Sequence, residues 1–149
     1  MIQEWQRSEY SISTDVNQLD LTVIHQFLAN TYWAKDIPFT VLQHSIQNSL
    51  VFGLYKDKQQ IGFGRVITDY STFAYIADVF VLESFRGEGL GKWLIETIIS
   101  HPELRGLRRW LLVTKDAHEL YQKVSFNEIK NPSRFMEIVD LDVYKKTFN

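Results

Sequence analysis

Cysteine is absent from all 149 residues, which excludes disulfides, thiolate metal ligands and covalent catalysis through a thiol. Neither sign of charge dominates: 16 Lys and Arg stand against 18 Asp and Glu, a formal net charge of −2. That balance gives no whole-molecule attraction to nucleic acid or anionic lipid, so any basic site has to be local. No apolar run approaches the ~18–20 residues of a membrane span, and Met1–Tyr10 lacks the apolar centre of a signal peptide. A cytoplasmic protein with neither a nucleic-acid nor a membrane partner is expected. The three prolines and seven glycines form no linker, and no repeat or low-complexity run interrupts the chain. One domain over residues 1–149 is therefore expected. The four histidines, His25, His44, His101 and His118, have no metal-ligand spacing with one another or with carboxylates, so no metal is expected.

Three of the seven glycines gather in one short stretch, Arg86-Gly87-Glu88-Gly89-Leu90-Gly91-Lys92. Before it, Tyr75–Val81 reads as an apolar strand; after it, Leu90, Leu94, Ile95, Ile98 and Ile99 recur at helical spacing. A glycine-rich turn opening a helix presents unpaired backbone N–H groups at the positive end of the helix dipole, an arrangement that binds phosphate. The spelling is not that of the common nucleotide loops. A Walker A loop would need glycine at position 86 and Ser or Thr at 93, where Arg86 and Trp93 stand; the Rossmann fingerprint would need a third glycine at Lys92. What remains is Arg-x-x-Gly-x-Gly between a strand and a helix.

Periodicity assigns the other elements. Tyr10–Thr14 alternates as a first strand. Asp20 caps a helix running to about Thr31, and Pro38 opens a second through Val41, Leu42, Ser45 and Ile46. Strands follow at Leu50–Lys56, Ile61–Thr68 and Tyr75–Val81, with Gly62 and Gly64 hinting at close packing or a bulge. The helix from Gly89 stops at His101 before Pro102. Arg109–Val113 reads as a buried strand, Asp116 as the cap of a short helix through Lys123, and Phe135–Val139 as a last strand. This order predicts an α/β (α+β) protein with a mixed sheet covered by helices on both faces.

The strand–turn–helix resembles the acetyl-CoA-binding core of the GNAT N-acetyltransferases. A second match lies downstream: Ala117-His118-Glu119-Leu120-Tyr121-Gln122-Lys123-Val124-Ser125-Phe126 is similar to that family's late A-x-x-L-Y-x-K-x-G-F segment. The two together cover roughly Leu50 to Ile138. The resemblance implies the GNAT fold: a mostly antiparallel sheet of six to seven strands, about four helices, and a splay in the sheet where acetyl-CoA enters.

It also implies roles. The turn Arg86–Lys92 (Arg86, Gly87, Glu88, Gly89, Leu90, Gly91, Lys92) would hold the pyrophosphate, the main chain of Val79, Phe80 and Val81 the pantetheine arm. Tyr121 would protonate the leaving thiolate. Thr114 stands where the family often has an asparagine that touches CoA, and Ser125 replaces the usual glycine before Phe126, at a cost if φ there is positive. Asp78, a carboxylate within an apolar strand, is the candidate base or amine anchor, against a salt bridge to Arg65 on the adjacent strand. Tyr32 and Trp33, with Arg65, are candidates for the acceptor side; core or rim packing is the alternative for the two aromatics, and a surface position is expected for His25. The basic stretch Arg105, Arg108, Arg109 and Lys115 reads as a solvated turn or a contact for the CoA 3′-phosphate.

The expected activity is acetyl transfer from acetyl-CoA to a small primary amine in a ternary complex. Acetylation of a protein or peptide amine, an acyl-CoA sensor without chemistry, and a structural or nucleic-acid-associated domain are the alternatives. A homodimer stays open.

Overall fold

The computed structural model describes residues 1–146. Six strands pair in the order β1-β2-β3-β4-β5-β6: β1 Glu4–Arg7, β2 Tyr10–Ser13, β3 Leu50–Lys56, β4 Gln59–Thr68, β5 Phe73–Val81 and β6 Arg109–Leu111. The first five run antiparallel to their neighbours, and β6 joins β5 in parallel. Tight turns join β1 to β2 and β3 to β4 through residues in left-handed backbone conformations, Ser8 (φ 55°) and Asp57 (φ 54°). The parallel step needs a crossover, supplied by α3 Leu90–Ile99.

Helices cover both faces, as the element order predicts. Leu90, Leu94 and Ile98 of α3 pack with Phe52, Leu54, Val66 and Ile76 in one apolar core. On the other face, α1 Leu21–Leu28 and α2 Phe39–Gln47 bury Ile24, Leu28, Leu42 and Ile46 against Phe63 and Phe80. Asp20 caps α1 by accepting from the Val23 N–H at 3.2 Å. Pro38 sits one position outside α2, as its N-cap, not in the first turn. Gly62 is required by contact: a Cβ there would lie 2.8 Å from the backbone oxygen of Phe80. Among the described residues, no helix is long and apolar enough to cross a membrane.

Four readings of the sequence need correction. The chain opens with β1, missed because Trp5 is its only large apolar residue; its pairing with β2 follows from the tight turn between them. The strand expected at Arg109–Val113 ends at Leu111. The helix α4, His118–Gln122, is not capped by Asp116; instead Thr114 Oγ1 accepts from the Ala117 N–H at 3.1 Å. Phe135–Val139 forms no strand. Of its amides, Phe135 N–H bonds locally to Pro132 O, and Met136 and Ile138 stand 96% and 105% exposed. Alternating apolar residues make a strand only where a ladder continues, and β6 is three residues long.

Candidate active site

The glycine turn has the predicted shape. Gly87 (φ 88°) and Gly89 (φ 75°) hold left-handed conformations, with no atom within 4 Å of where a Cβ would stand. Gly89 is the N-cap of α3 and provides no side-chain cap. The first helical bond is made by Trp93 N–H to Gly89 O at 3.1 Å, which leaves the first-turn amides of Leu90, Gly91 and Lys92 without helical acceptors. The side chains around them are tethered elsewhere. Arg86 Nε donates to Val81 O at 2.9 Å, and Leu90 is buried in the core. Glu88 accepts from the Tyr10 hydroxyl at 3.0 Å, and this bond raises the Tyr10 pKa above its ordinary value. The Glu88 carboxylate is thus turned onto β2, and only its main chain remains with the turn. Lys92 is exposed.

Beside the turn, the sheet opens. β5 and β6 pair at Phe73–Arg109, Ala74–Trp110 and Tyr75–Leu111, and among the described residues no strand pairs with the rest of β5 on that side. Leu82 N–H turns to Ile61 O on β4 at 2.7 Å; by backbone alternation the groups of Val81 face the gap, where Arg86 engages the carbonyl. Phe80 and Val81 are buried, and Phe80 stacks on Phe27 at 4.1 Å. A register shift between Phe63 and Arg65 marks a bulge, and opposite it Asp78 takes φ 59° within β5. The two glycines of β4 hinted at this irregularity.

Tyr121, in α4, packs edge-on against Phe126 with ring centroids 5.8 Å apart. Burial, then the proximity of Tyr32, pushes its pKa up to about 12, so the phenol keeps its proton at neutral pH. It borders a cavity of about 440 Å³ together with Trp110, Leu112, Thr114, Phe126 and Ile129. Ser125 does have positive φ, at 80°. Thr114 is engaged in the turn before α4, so its hydroxyl serves the local fold.

Asp78 is fully engaged. Its Oδ2 accepts from Arg65 Nε at 2.8 Å and its Oδ1 from Trp33 Nε1 at 3.0 Å, with side chains of Asp78 and Arg65 only 8% and 15% exposed. Arg65 Nη1 also donates to Ser49 Oγ at 3.2 Å. Tyr32 and Trp33 are not core residues: they are 53% and 43% exposed and meet edge to face at 5.1 Å. The Tyr32 hydroxyl accepts from Lys115 N–H at 2.9 Å, and Lys115 Nζ lies 5.5 Å from the ring centroid. His25 is not a free surface group, since its Nε2 bonds Ile37 O at 2.8 Å. Of the basic stretch, Arg109 lies over the Phe135 ring. The ties from Tyr10 to Glu88 and from Tyr32 to Lys115 join residues 78 and 83 positions apart and carry no local signal in the sequence.

A strand–turn–helix with open amides beside a parted parallel pair is the architecture of an acyltransferase-type fold. The profile of the Acetyltransferase (GNAT) family matches residues 2–126, and the chain belongs to that family. A protein of Gibberella zeae is 33% identical over 144 residues, covering 81% of this chain and 80% of its own. A crystal structure from Xanthomonas campestris pv. campestris is 44% identical with a TM-score of 0.90, covering 95% of this chain and all of that one. Both carry the description "putative acetyltransferase". A GNAT acetyltransferase from Elizabethkingia anophelis, solved with acetyl-CoA bound, shares the fold at a TM-score of 0.63 and 15% identity, over 81% of this chain and 78% of that one.

Proposed function

We propose that this acetyltransferase moves an acetyl group from acetyl-CoA to the amine of a small molecule, directly, in a ternary complex. The observation that carries the reading is the run of unpartnered first-turn amides at Leu90–Lys92, directly after a length of β5 with no neighbour. Gly87 and Gly89 have open space where a side chain would stand, so none is placed there to bar a diphosphate from the amides that follow. Arg86 and the exposed Lys92 add positive charge. The unpaired length of β5 at Val79–Val81 offers main-chain groups to an amide-bearing arm, apart from the Val81 carbonyl, which Arg86 holds. The acetyl-CoA bound to the Elizabethkingia structure accords with this assignment.

Acetyl-CoA, when bound, supplies an activated thioester. The acceptor must arrive as a neutral amine, because an ammonium has no lone pair. Its nitrogen attacks the acetyl carbon, the C–N bond forms and the C–S bond breaks. Tyr121 then gives its phenolic proton to the departing sulfur and is reprotonated from the proton that the new amide nitrogen releases through solvent. The phenol is protonated at neutral pH and so has a proton to give. Half-exposed Tyr32 and Trp33 supply the acceptor-side wall.

The test is release of free CoA thiol, measured over a panel of primary amines, alongside calorimetry with acetyl-CoA. Binding together with amine-dependent release supports transfer. Binding with no release for any amine favours an acyl-CoA sensor instead.

A further inference from the structure

The residues following α1 are built to present two rings. Thr31 Oγ1 donates to Leu28 O at 2.7 Å and accepts from Ala34 N–H at 3.2 Å, while Asp36 N–H returns to Ala29 O at 3.0 Å. Thr31 and Ala34 are buried, so the base of the loop is fixed while Tyr32 and Trp33 between them project outward. Each ring is then tied at its polar tip to a different segment beside the opening, one to β5 and one to the chain that follows β6. Trp33 Nε1 donates to Asp78 on β5, and the Tyr32 hydroxyl accepts from Lys115 N–H, four residues beyond the end of β6. At these positions β5 and β6 no longer touch. The two rings therefore bridge the separation as a strap.

Resting on the transfer reading above, we infer that Asp78 and Arg65 are a positioning pair that holds this strap, and that the strap selects acceptors carrying a flat or apolar body. Three observations carry it. Both oxygens of Asp78 already accept hydrogen bonds, leaving it poorly placed to take an acceptor's proton. Arg65 balances its charge within the sheet, so the carboxylate is not free to anchor an ammonium. The ring faces that remain half-exposed favour stacking and CH contacts. Asp78 also holds a left-handed backbone at the bulge, a conformation Asp tolerates better than most residues, and there its side chain reaches both partners.

The experiment follows the Trp33 indole N–H by heteronuclear NMR, its resonance assigned with Trp33→Phe. Asp78→Ala should shift that resonance and speed its solvent exchange at least tenfold, and Asp78→Asn, which keeps an oxygen acceptor, should restore slow exchange. No change in Asp78→Ala overturns the latch. With CoA present, phenethylamine as probe should shift the Trp33 resonance in the wild type and not in Asp78→Ala; no wild-type shift up to the solubility limit overturns the acceptor assignment. In steady state with phenethylamine, Asp78→Ala and Trp33→Phe should raise the acceptor KM more than they lower kcat, and Asp78→Asn should restore both toward the wild-type values. A collapse of kcat in Asp78→Asn with loss of the acid limb of the pH profile would instead make Asp78 the base. Calorimetry with acetyl-CoA separates the failures: a wild type that does not bind it removes the transfer reading, whereas the indole data judge the strap alone.

Discussion

Tyr121 carries the proton in the proposed chemistry, and its environment keeps it in the protonated form. An ordinary phenol titrates near 10; burial and Tyr32 move this one to about 12, so protonation stays complete across the neutral range. Tyr121→Phe should lower kcat about 100-fold, within the usual range for a lost general acid, and leave acetyl-CoA affinity nearly unchanged in calorimetry. Wild-type turnover in that variant would remove Tyr121 from the mechanism. Four residues on, Ser125 holds φ 80°, where a side chain is strained and glycine is not. Ser125→Gly should stabilise the fold by about 0.5–1 kcal/mol, the relief of strain less glycine's extra unfolded-state entropy. In a chain of this size that is about 1–4 °C in Tm, measurable by thermal denaturation.

At the scale of elements, the turn before α3 has its one acidic residue, Glu88, turned away from the open amides. A carboxylate beside open amides would repel an anion, but Glu88 bonds the Tyr10 hydroxyl on β2. Tyr10→Phe removes that tether and should raise the KM for acetyl-CoA about 3–10-fold, the equivalent of one ordinary hydrogen bond, with kcat little altered. Equal KM values would show that the tether does not organise the turn. Much of this element was legible in the sequence, because glycine spacing and helical periodicity are local signals: β3 spans Leu50–Lys56 as expected and α3 opens at the glycine turn, though it ends at Ile99 and not at His101, and Gly91, unlike Gly87 and Gly89, has no positive φ. The Tyr10 tether was not legible, since hydroxyls and carboxylates pair across 78 positions without a pattern. Asp78 illustrates the middle case. A salt bridge to Arg65 could be weighed from adjacent strands, whereas the Trp33 contact depends on a loop whose path only the fold sets. Phe135–Val139 marks the opposite failure: the strand pattern is present, but no ladder reaches it.

For the whole molecule, stability should depend on pH through His101. Its ring is buried beside Trp5 and Phe52, its Nδ1 accepts from Glu103 N–H at 3.1 Å, and Nε2 has no partner. Burial lowers its pKa below the ordinary 6.5, with nearby Glu103 opposing the shift. A base with a depressed native pKa is protonated first in the unfolded chain. Its contribution is therefore complete above pH ~6.5 and is lost as pH falls toward the native value. Tm should decline on acidification below that point, and His101→Asn, whose side-chain oxygen can still take the Glu103 amide, should flatten the decline. An unchanged slope would assign acid sensitivity to other groups. The central claim is that the opening between β5 and β6, headed by the glycine turn, binds the acyl donor. Calorimetric titration of acetyl-CoA into the wild-type chain and into Gly89→Val tests it most directly. One-site binding is expected, which the valine, forced to φ near 75° and projecting a side chain over the open amides, should weaken at least tenfold while the fold persists by circular dichroism. No binding to the wild type, or equal affinity in a folded Gly89→Val, would contradict it.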